Sequence, residues 1–559
     1  MIRARRHALS FACWSASLYS LVLVCFLWPW PKNPARLGIE NDDLLLHTWT
    51  LAWVAHQAAL DPRGVFESNQ FWPQAGSLSY TETLFPQSIM AAPILWLGGD
   101  PLLAHNLVLF ASIVLAGVTA GLLALRLTSS PKAAFIAGFG YAFAPFRFNH
   151  LVQLGIASYE WFPLILLALW EISARPGRHR AALWLLACAS AVQALSSGYY
   201  AVLLGFVMGG AFVYLLPRLI RKKALAGVLI SVGAAGAVAL LAGLPSLRLR
   251  ERQAVSRGVE GPMHWSAVPR SFLDPGPNVS ALGLRNLVER TPEPLFPGIV
   301  ISLSALIGLA RTRNPVARSL CLVVGGLCAV MSLGPVFRDL PFEPTAPFDI
   351  VRRIPPADMI RAPSRFGIGA ILAIDVLAAL GLAGLLRSVR ASRRGWTFAS
   401  LTACMLIEMR PSVGRLIVPI QPPPAYTLTL RSLERGPVLE LPWASEEQVG
   451  YQLYWSTAHW QPMIAGYGGF APEGNFPLAA IAHNFPTGFA SRALRCAGVR
   501  YVVVHGGQVP EAQARRAAEF ELEGLKRIGR FEPDFLFELS PWKEGVPCPP
   551  ELPKAFARP

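Results

Sequence analysis

Apolar runs of about 15 to 22 residues recur along the first 410 positions, the length that crosses ~30 Å of hydrocarbon as a helix. Eleven such stretches are predicted as membrane spans: 10–30, 102–125, 133–148, 155–172, 181–197, 199–217, 224–245, 296–310, 317–335, 366–386 and 395–409. The last contains Glu408, and several sit near the lower limit of length. Beyond about 411 the pattern changes. Pro422-Pro423-Pro424 marks a linker, and the remaining residues are mixed and less apolar. Val438 to Leu441 and Arg500 to Val504 read as short buried strands. A helical stretch from Ser491 precedes the second, and Glu511 to Ile528 alternates charged and apolar residues like a surface helix. The expected fold is an α-helical polytopic membrane domain with a small C-terminal α/β domain. The boundaries are 1–410 for the membrane part, 411–424 for the linker and 425–559 for the α/β part.

Composition agrees with this pattern. Of 559 residues, 53% are hydrophobic and only 15% charged, and the mean hydropathy is +0.41. A soluble globular protein has no use for that much apolar surface. The formal net charge of +16 would suit a nucleic-acid binder, but its distribution argues otherwise. The amino terminus and every second connection after it (126–132, 173–180, 218–223, 311–318, 387–394) hold 19 Lys and Arg and no acidic residue. The rest of the chain is slightly acidic. Short basic loops stay cytoplasmic, so the expected orientation has the amino terminus inside and the C-terminal domain outside. No nucleic-acid partner is implied. The first span runs into Trp28-Pro29-Trp30-Pro31 without a small-x-small cleavage site and reads as an uncleaved anchor. Six of the eight cysteines lie in spans. Cys496 and Cys548 lie outside, where a disulfide between them is permitted.

Three outer segments are long: 31–101, 246–295 and 336–365. The first opens on Glu40-Asn41-Asp42-Asp43, carboxylates that are costly at a membrane surface unless solvated, paired or used. Asp43 is a good N-cap for a helix from Leu44 to Leu60. Trp49 and Trp53 on that helix suggest one lying in the headgroup layer. The same carboxylate can also act as a general base on an acceptor hydroxyl, alone or with a divalent cation. Both readings stay open.

Arg361 and Arg365 stand four apart at the outer start of a span, with Pro363 between them. Two guanidinium groups at a helix amino terminus suit a phosphate. Interfacial snorkelling, or pairing with Asp358, would equally account for them. Arg147, Asn149, His150 and Gln153 form a polar cluster between apolar runs. Glu82 and Glu160 are further acids near the outer surface; Glu160 would have to pair with Arg147, hold a cation or assist the base. Tyr199-Tyr200 reads as an interfacial turn, and Gly466-Tyr467-Gly468-Gly469-Phe470 as a glycine-rich turn or a ligand loop. No phosphate-binding loop, paired metal cysteines or zinc-protease helix is present in the sequence.

With its acidic first outer loop after span one, many spans and an outer C-terminal domain, the chain resembles bacterial polytopic glycosyltransferases of the GT-C superfamily. Local phrases carry the same resemblance: Asp43-Leu44-Leu45-Leu46-His47-Thr48-Trp49, Phe71-Trp72-Pro73, Arg361-Ala362-Pro363-Ser364-Arg365-Phe366 and Ala497-Gly498-Val499-Arg500-Tyr501-Val502-Val503-Val504. A second acidic pair, common in the superfamily, is not evident. The resemblance implies an enzyme of the bacterial inner membrane that moves a sugar from a polyprenyl-phosphate carrier to an extracytoplasmic acceptor, with inversion. It makes Asp43 the general base with Asp42 as substitute, and Arg361 and Arg365 the groups that neutralise the lipid phosphate. Glu82, Arg147, His150 and Glu160 would contact substrate or a cation. The alternatives are a transporter or flippase of a lipid-linked saccharide, and a non-catalytic membrane scaffold. A transporter would place ionisable groups at mid-span, where Asp375 is the main candidate.

Overall fold

The computed structural model describes residues 2–39, 42–174, 179–253, 260–279, 291, 293–337, 345–354, 357–443, 445–519, 523–543, 546–553 and 555–556. Glu40 and Asn41 lie outside this set, as does much of the second outer segment (254–259, 280–290 and 292). The chain divides into two compact units. One comprises 1–37, 106–243 and 255–418; the other comprises 38–105, 244–254 and 419–559.

The chain is a helical, multi-pass membrane protein. Among the described residues, seven helical stretches are long and apolar enough to cross a membrane: Arg6–Phe26, Pro101–Thr128, Leu154–Ala174 (interrupted between Ala157 and Phe162), Gly198–Arg221, Leu225–Gln253, Pro315–Ser332 and Pro363–Ser388. The other four expected spans are shorter helices: Pro131–Ala142, Arg180–Ser196, Ile299–Arg311 and Arg394–Glu408. A 13-residue helix such as Ile299–Arg311 is only about 20 Å long. At the centre of the first unit lies the helix Gly367–Ser388, almost wholly buried between Ile299–Arg311, Pro315–Ser332 and Pro131–Ala142. It meets Ile299–Arg311 backbone to backbone: a Cβ added at Gly308 would stand 2.0 Å from the Leu377 carbonyl oxygen. Small residues permit such approach between membrane helices. Glu408, anomalous as a residue of an apolar stretch, caps Ile299–Arg311. Its carboxylate accepts from the Ile299 and Val300 amides at 3.1 and 3.3 Å, orphan donors that favour an anion.

The second unit is built on a four-stranded mixed sheet of β1 (Val438–Leu441), β2 (Tyr501–Val504), β3 (Leu525–Phe531) and β4 (Asp534–Leu539). Its order is β1-β2-β4-β3, with β1 and β2 parallel and β4 antiparallel to both neighbours. The two expected strands are present. The expected helix over Glu511 to Ile528 is not. It ends as Glu511–Glu519, and Ile528 belongs to edge strand β3. Alternating charge and apolarity serves a half-exposed strand as well as a helix, and Gly524, at φ +82°, starts the chain in a new direction. Cys496, at the end of the helix Gly488–Cys496, is joined to Cys548 by a disulfide with a Cα separation of 5.8 Å.

The first outer loop folds into this same unit, which revises one expectation. The helix Asp42–Leu60 does not lie with its tryptophans in a headgroup layer. Trp49 is 0% and Trp53 3% exposed, packed in one core with Leu439, Leu441, Val502 and Phe537 of the sheet. Their indole N–H groups donate to Asn69 Oδ1 (3.0 Å) and the Val65 carbonyl (2.8 Å). An aromatic stripe beside a membrane span is equally the composition of a buried helix, and here the helices Glu446–Ser456 and Phe85–Trp96 pack against it. The apolar surface of the loop is on Phe85–Trp96 instead. Ile89 and Trp96 face outward there, with Leu97 following, while Gln87 and Ser88 face inward. That face, ending four residues before the span Pro101–Thr128, is the one suited to headgroups.

A charged cluster is sealed into the sheet. His505, which follows β2, has Nε2 3.0 Å from Glu440 Oε2 and Nδ1 3.2 Å from Asp534 Oδ2. Glu440 also accepts from the Tyr426 hydroxyl at 2.6 Å, and the Tyr426 and Trp455 rings flank the imidazole. Burial by itself would lower the pKa of His505. The bonds to Asp534 and Glu440 outweigh it and hold the imidazolium up at about 9, against an ordinary 6.5. A base with a raised folded-state pKa stabilises fully below its unfolded pKa and loses that stabilisation as pH rises through the folded one. The expected contribution is roughly 3 kcal/mol below about pH 6.5, vanishing towards about pH 9. Thermal melting of the detergent-purified protein between pH 6 and 10 should show that decline. His505→Gln should melt lower, with the decline flattened.

Candidate functional site

Asp43 is the second residue of the helix Asp42–Leu60, inside its first turn rather than at the N-cap position. A carboxylate there still meets the positive end of the helix dipole. Asp43 is partly buried, and its Oδ1 accepts a hydrogen bond from the Tyr467 hydroxyl at 3.0 Å. Tyr467 belongs to the glycine-rich segment of the same unit, so that segment is not a plain turn. Asp42 begins the helix, and its side chain is not among those described. Glu82 is also in this unit, partly buried between the turn Ser77–Tyr80 and the helix Phe85–Trp96.

Arg147, His150, Glu160, Arg361 and Arg365 belong to the other unit. The arginine pair is asymmetric. Arg361 is exposed, its guanidinium 5.9 Å from the centre of the Trp265 ring. Arg365 is 8% exposed, in the 3-10 turn Pro363–Phe366 that leads into the helix Gly367–Ser388. Its guanidinium lies 3.9 Å over the Tyr199 ring and donates to Gln153 Oε1 at 3.3 Å. Among the described residues its Nε has no hydrogen-bond partner. Tyr199, expected in an interfacial turn, is the platform beneath this cation, an arrangement worth about 0.5–2 kcal/mol. A guanidinium fixed on an aromatic face with an unfilled donor is suited to an oxyanion.

The polar cluster before Glu160 has a different character. The helix Pro131–Ala142 stops where Pro145, lacking an amide hydrogen, cannot continue it. Residues 143–161 then run as two short turns, Pro145–Asn149 and Leu154–Ala157. Irregular backbone at membrane depth is tolerated only where protein satisfies it, and here five consecutive carbonyls receive side-chain donors. Tyr200 bonds Ile156, Arg147 bonds Ala157, Gln193 bonds Ser158, Tyr141 bonds Tyr159 and Thr119 bonds Glu160. The guanidinium of Arg147 also lies 3.7 Å over the Tyr159 ring. The hydrogen bond described for the Glu160 carboxylate comes from Ser112, at 2.7 Å, and not from Arg147. His150 has Nδ1 2.8 Å from the Phe146 carbonyl and Nε2 3.3 Å from Glu293 Oε2. Glu293 was not singled out in the sequence. The His150 carbonyl accepts from the Gln153 amide, so this turn delivers Gln153 to Arg365.

No three His, Cys, Asp or Glu side chains among the described residues converge into a group that could hold a metal ion. The partner described for Asp43 is a phenol.

This fold is similar to that of GT-C membrane glycosyltransferases over most of the chain. The arabinofuranosyltransferase AftD from mycobacteria superposes with a TM-score of 0.52 at 13% identity, over 96% of this chain and 42% of that one. This chain thus spans about two fifths of the length of that protein. ArnT from Cupriavidus metallidurans, in a structure bound to undecaprenyl phosphate, gives 0.47 at 11% identity, over 94% of this chain and 98% of that one. The oligosaccharyltransferase AglB from Archaeoglobus fulgidus gives 0.45 at 14%, over 91% and 71%. At these identities the likeness is one of fold. No protein-family model and no curated protein matches the sequence.

Proposed function

We propose that this protein is a membrane glycosyltransferase that moves a sugar from a polyprenyl-phosphate carrier to an acceptor hydroxyl on the outer side of the membrane, with inversion. The observation that carries the reading is the fold likeness to an arabinofuranosyltransferase over 96% of the chain. The residues supply a chemistry consistent with it. The acceptor oxygen attacks the anomeric carbon, and its proton passes to the Asp43 carboxylate, with Asp42 as the substitute base. The bond from the anomeric carbon to the phosphate oxygen breaks, and its electron pair leaves on the polyprenyl phosphate. Positive charge at the departing phosphate is a stabilisation of the transition state that a partly dry site strengthens. Arg365 is the stronger candidate for it, because its guanidinium is buried and oriented; Arg361 is the second. The loop charges support an orientation with the C-terminal domain outside.

The test uses the full-length protein in proteoliposomes with undecaprenyl- and decaprenyl-phosphate-linked pentose and hexose donors. The expected result is release of free polyprenyl phosphate from at least one donor, accelerated by acceptor saccharide. No release from any donor, together with no prenyl-phosphate lipid retained in native mass spectra, would overturn the reading.

A further inference from the structure

Segment 463–470 lies against the first outer loop through contacts that leave it no slack. The Met463 amide donates to the Asn69 carbonyl at 2.5 Å, Trp72 to Met463 at 2.9 Å and Phe71 to Ala465 at 3.3 Å. The Tyr467 amide donates to Gln70 Oε1 at 3.1 Å, and the Gly469 amide to the Tyr80 carbonyl at 2.8 Å. The Phe470 ring packs on Tyr80 at 5.0 Å. Nothing larger than glycine fits on either side of Tyr467. A Cβ at Gly468 would stand 2.4 Å from the Tyr80 carbonyl oxygen, and one at Gly466 2.6 Å from the Phe71 ring. Across 466–469 the only side chain is therefore that of Tyr467. Its backbone is pinned on both flanks, and its hydroxyl reaches Asp43 Oδ1, 424 positions away in sequence.

Packing alone accounts for a ring here, since Tyr467 lines the unit's main apolar core. It does not account for the hydroxyl, because phenylalanine would fill the same space. We propose that Tyr467 is a positioning residue for Asp43, a hydroxyl that fixes the direction of the carboxylate towards the acceptor. The proposal rests on the reading of Asp43 as general base. A hydrogen bond to an ionised acceptor is roughly twice as strong as a neutral one, so it can hold a short carboxylate in one rotamer. Orientation matters steeply: misplacement by about 1 Å can cost about 100-fold in rate. The C-terminal segment then supplies part of the surroundings of Asp43 within their shared unit.

The experiment compares wild type, Asp43→Asn, Tyr467→Phe and Tyr467→Gln, each full length in proteoliposomes with the same panel of donors. Tyr467→Phe, which keeps the ring, is expected to lower kcat about 10- to 100-fold. Its KM for the donor should stay within about twofold, with an unchanged melting temperature. Tyr467→Gln, whose shorter side chain falls short of Asp43 from the same pinned backbone and removes the ring, should recover none of that loss. Tyr467→Phe at wild-type kcat, or with a raised KM alone, overturns the positioning role while an inactive Asp43→Asn leaves the base assignment standing. Asp43→Asn at full turnover, or wild type with no turnover, overturns both.

Discussion

The Asp43→Asn protein is expected to release polyprenyl phosphate about 100- to 10,000-fold more slowly than wild type, the range that a positioned general base contributes. The substitution is nearly isosteric. Its amide oxygen can still accept from the Tyr467 hydroxyl, which stands 3.0 Å from Oδ1, so the loop 466–470 keeps its anchor. What disappears is the charge and the capacity to take a proton. Asp43 also sits in the first turn of the helix Asp42–Leu60, where losing a charge costs about 0.3–1 kcal/mol of helix stabilisation. That is a shift of a few degrees in melting temperature, separable from a rate effect of several orders of magnitude. Full turnover in Asp43→Asn with loss in Asp42→Asn would move the base one residue. Full turnover in both would remove a carboxylate base from this loop.

The membrane part was legible because hydropathy is a local quantity. Every expected span contains a helix, and the shortfall is one of length, at proline and at capped ends. Contacts between distant segments were not legible. Trp49 and Trp53 satisfy the pattern of an interfacial helix and of a core helix equally well, and the choice is made by core residues some 390 to 490 positions later. Asn69 makes the same point from one side chain, accepting from Trp49 and donating to Ser456 and to the Gln461 carbonyl. Arg147 has the composition of a ligand arginine, yet its hydrogen bond goes to the carbonyl of Ala157. The signal that could have revealed this is the pair of prolines bracketing 145–163, which breaks the helix and frees carbonyls that need donors. Tyr467 carried no signal by itself. Three glycines around one tyrosine mark a turn, and only the close approach of Phe71 and Tyr80 explains why two of them, Gly466 and Gly468, must be glycines.

The two arginines are four apart in sequence, yet their environments predict unequal consequences. Arg365→Ala is expected to lower kcat/KM for the lipid-linked donor about 100-fold or more, whereas Arg361→Ala should cost less than about tenfold. The difference follows from burial. Hydrogen bonds to charged groups contribute about 1.5–3 kcal/mol net, towards the upper end where water is excluded, as around Arg365 at 8% exposure. Around the exposed Arg361 solvent screens the same charge. Arg365→Lys should not rescue, because an ammonium lacks the planar face that lies over Tyr199 and the fork that matches a phosphate. Loss of the cation–π contact will also lower stability, so rate alone does not decide the role. Binding of undecaprenyl phosphate and of undecaprenol to the purified protein, compared by native mass spectrometry, separates the two effects. A phosphate-binding arginine makes Arg365→Ala lose the preference for the phosphorylated lipid, whereas a purely structural one weakens both lipids alike. An unchanged preference for the phosphate in Arg365→Ala would remove this residue from the leaving-group site and pass the role to Arg361.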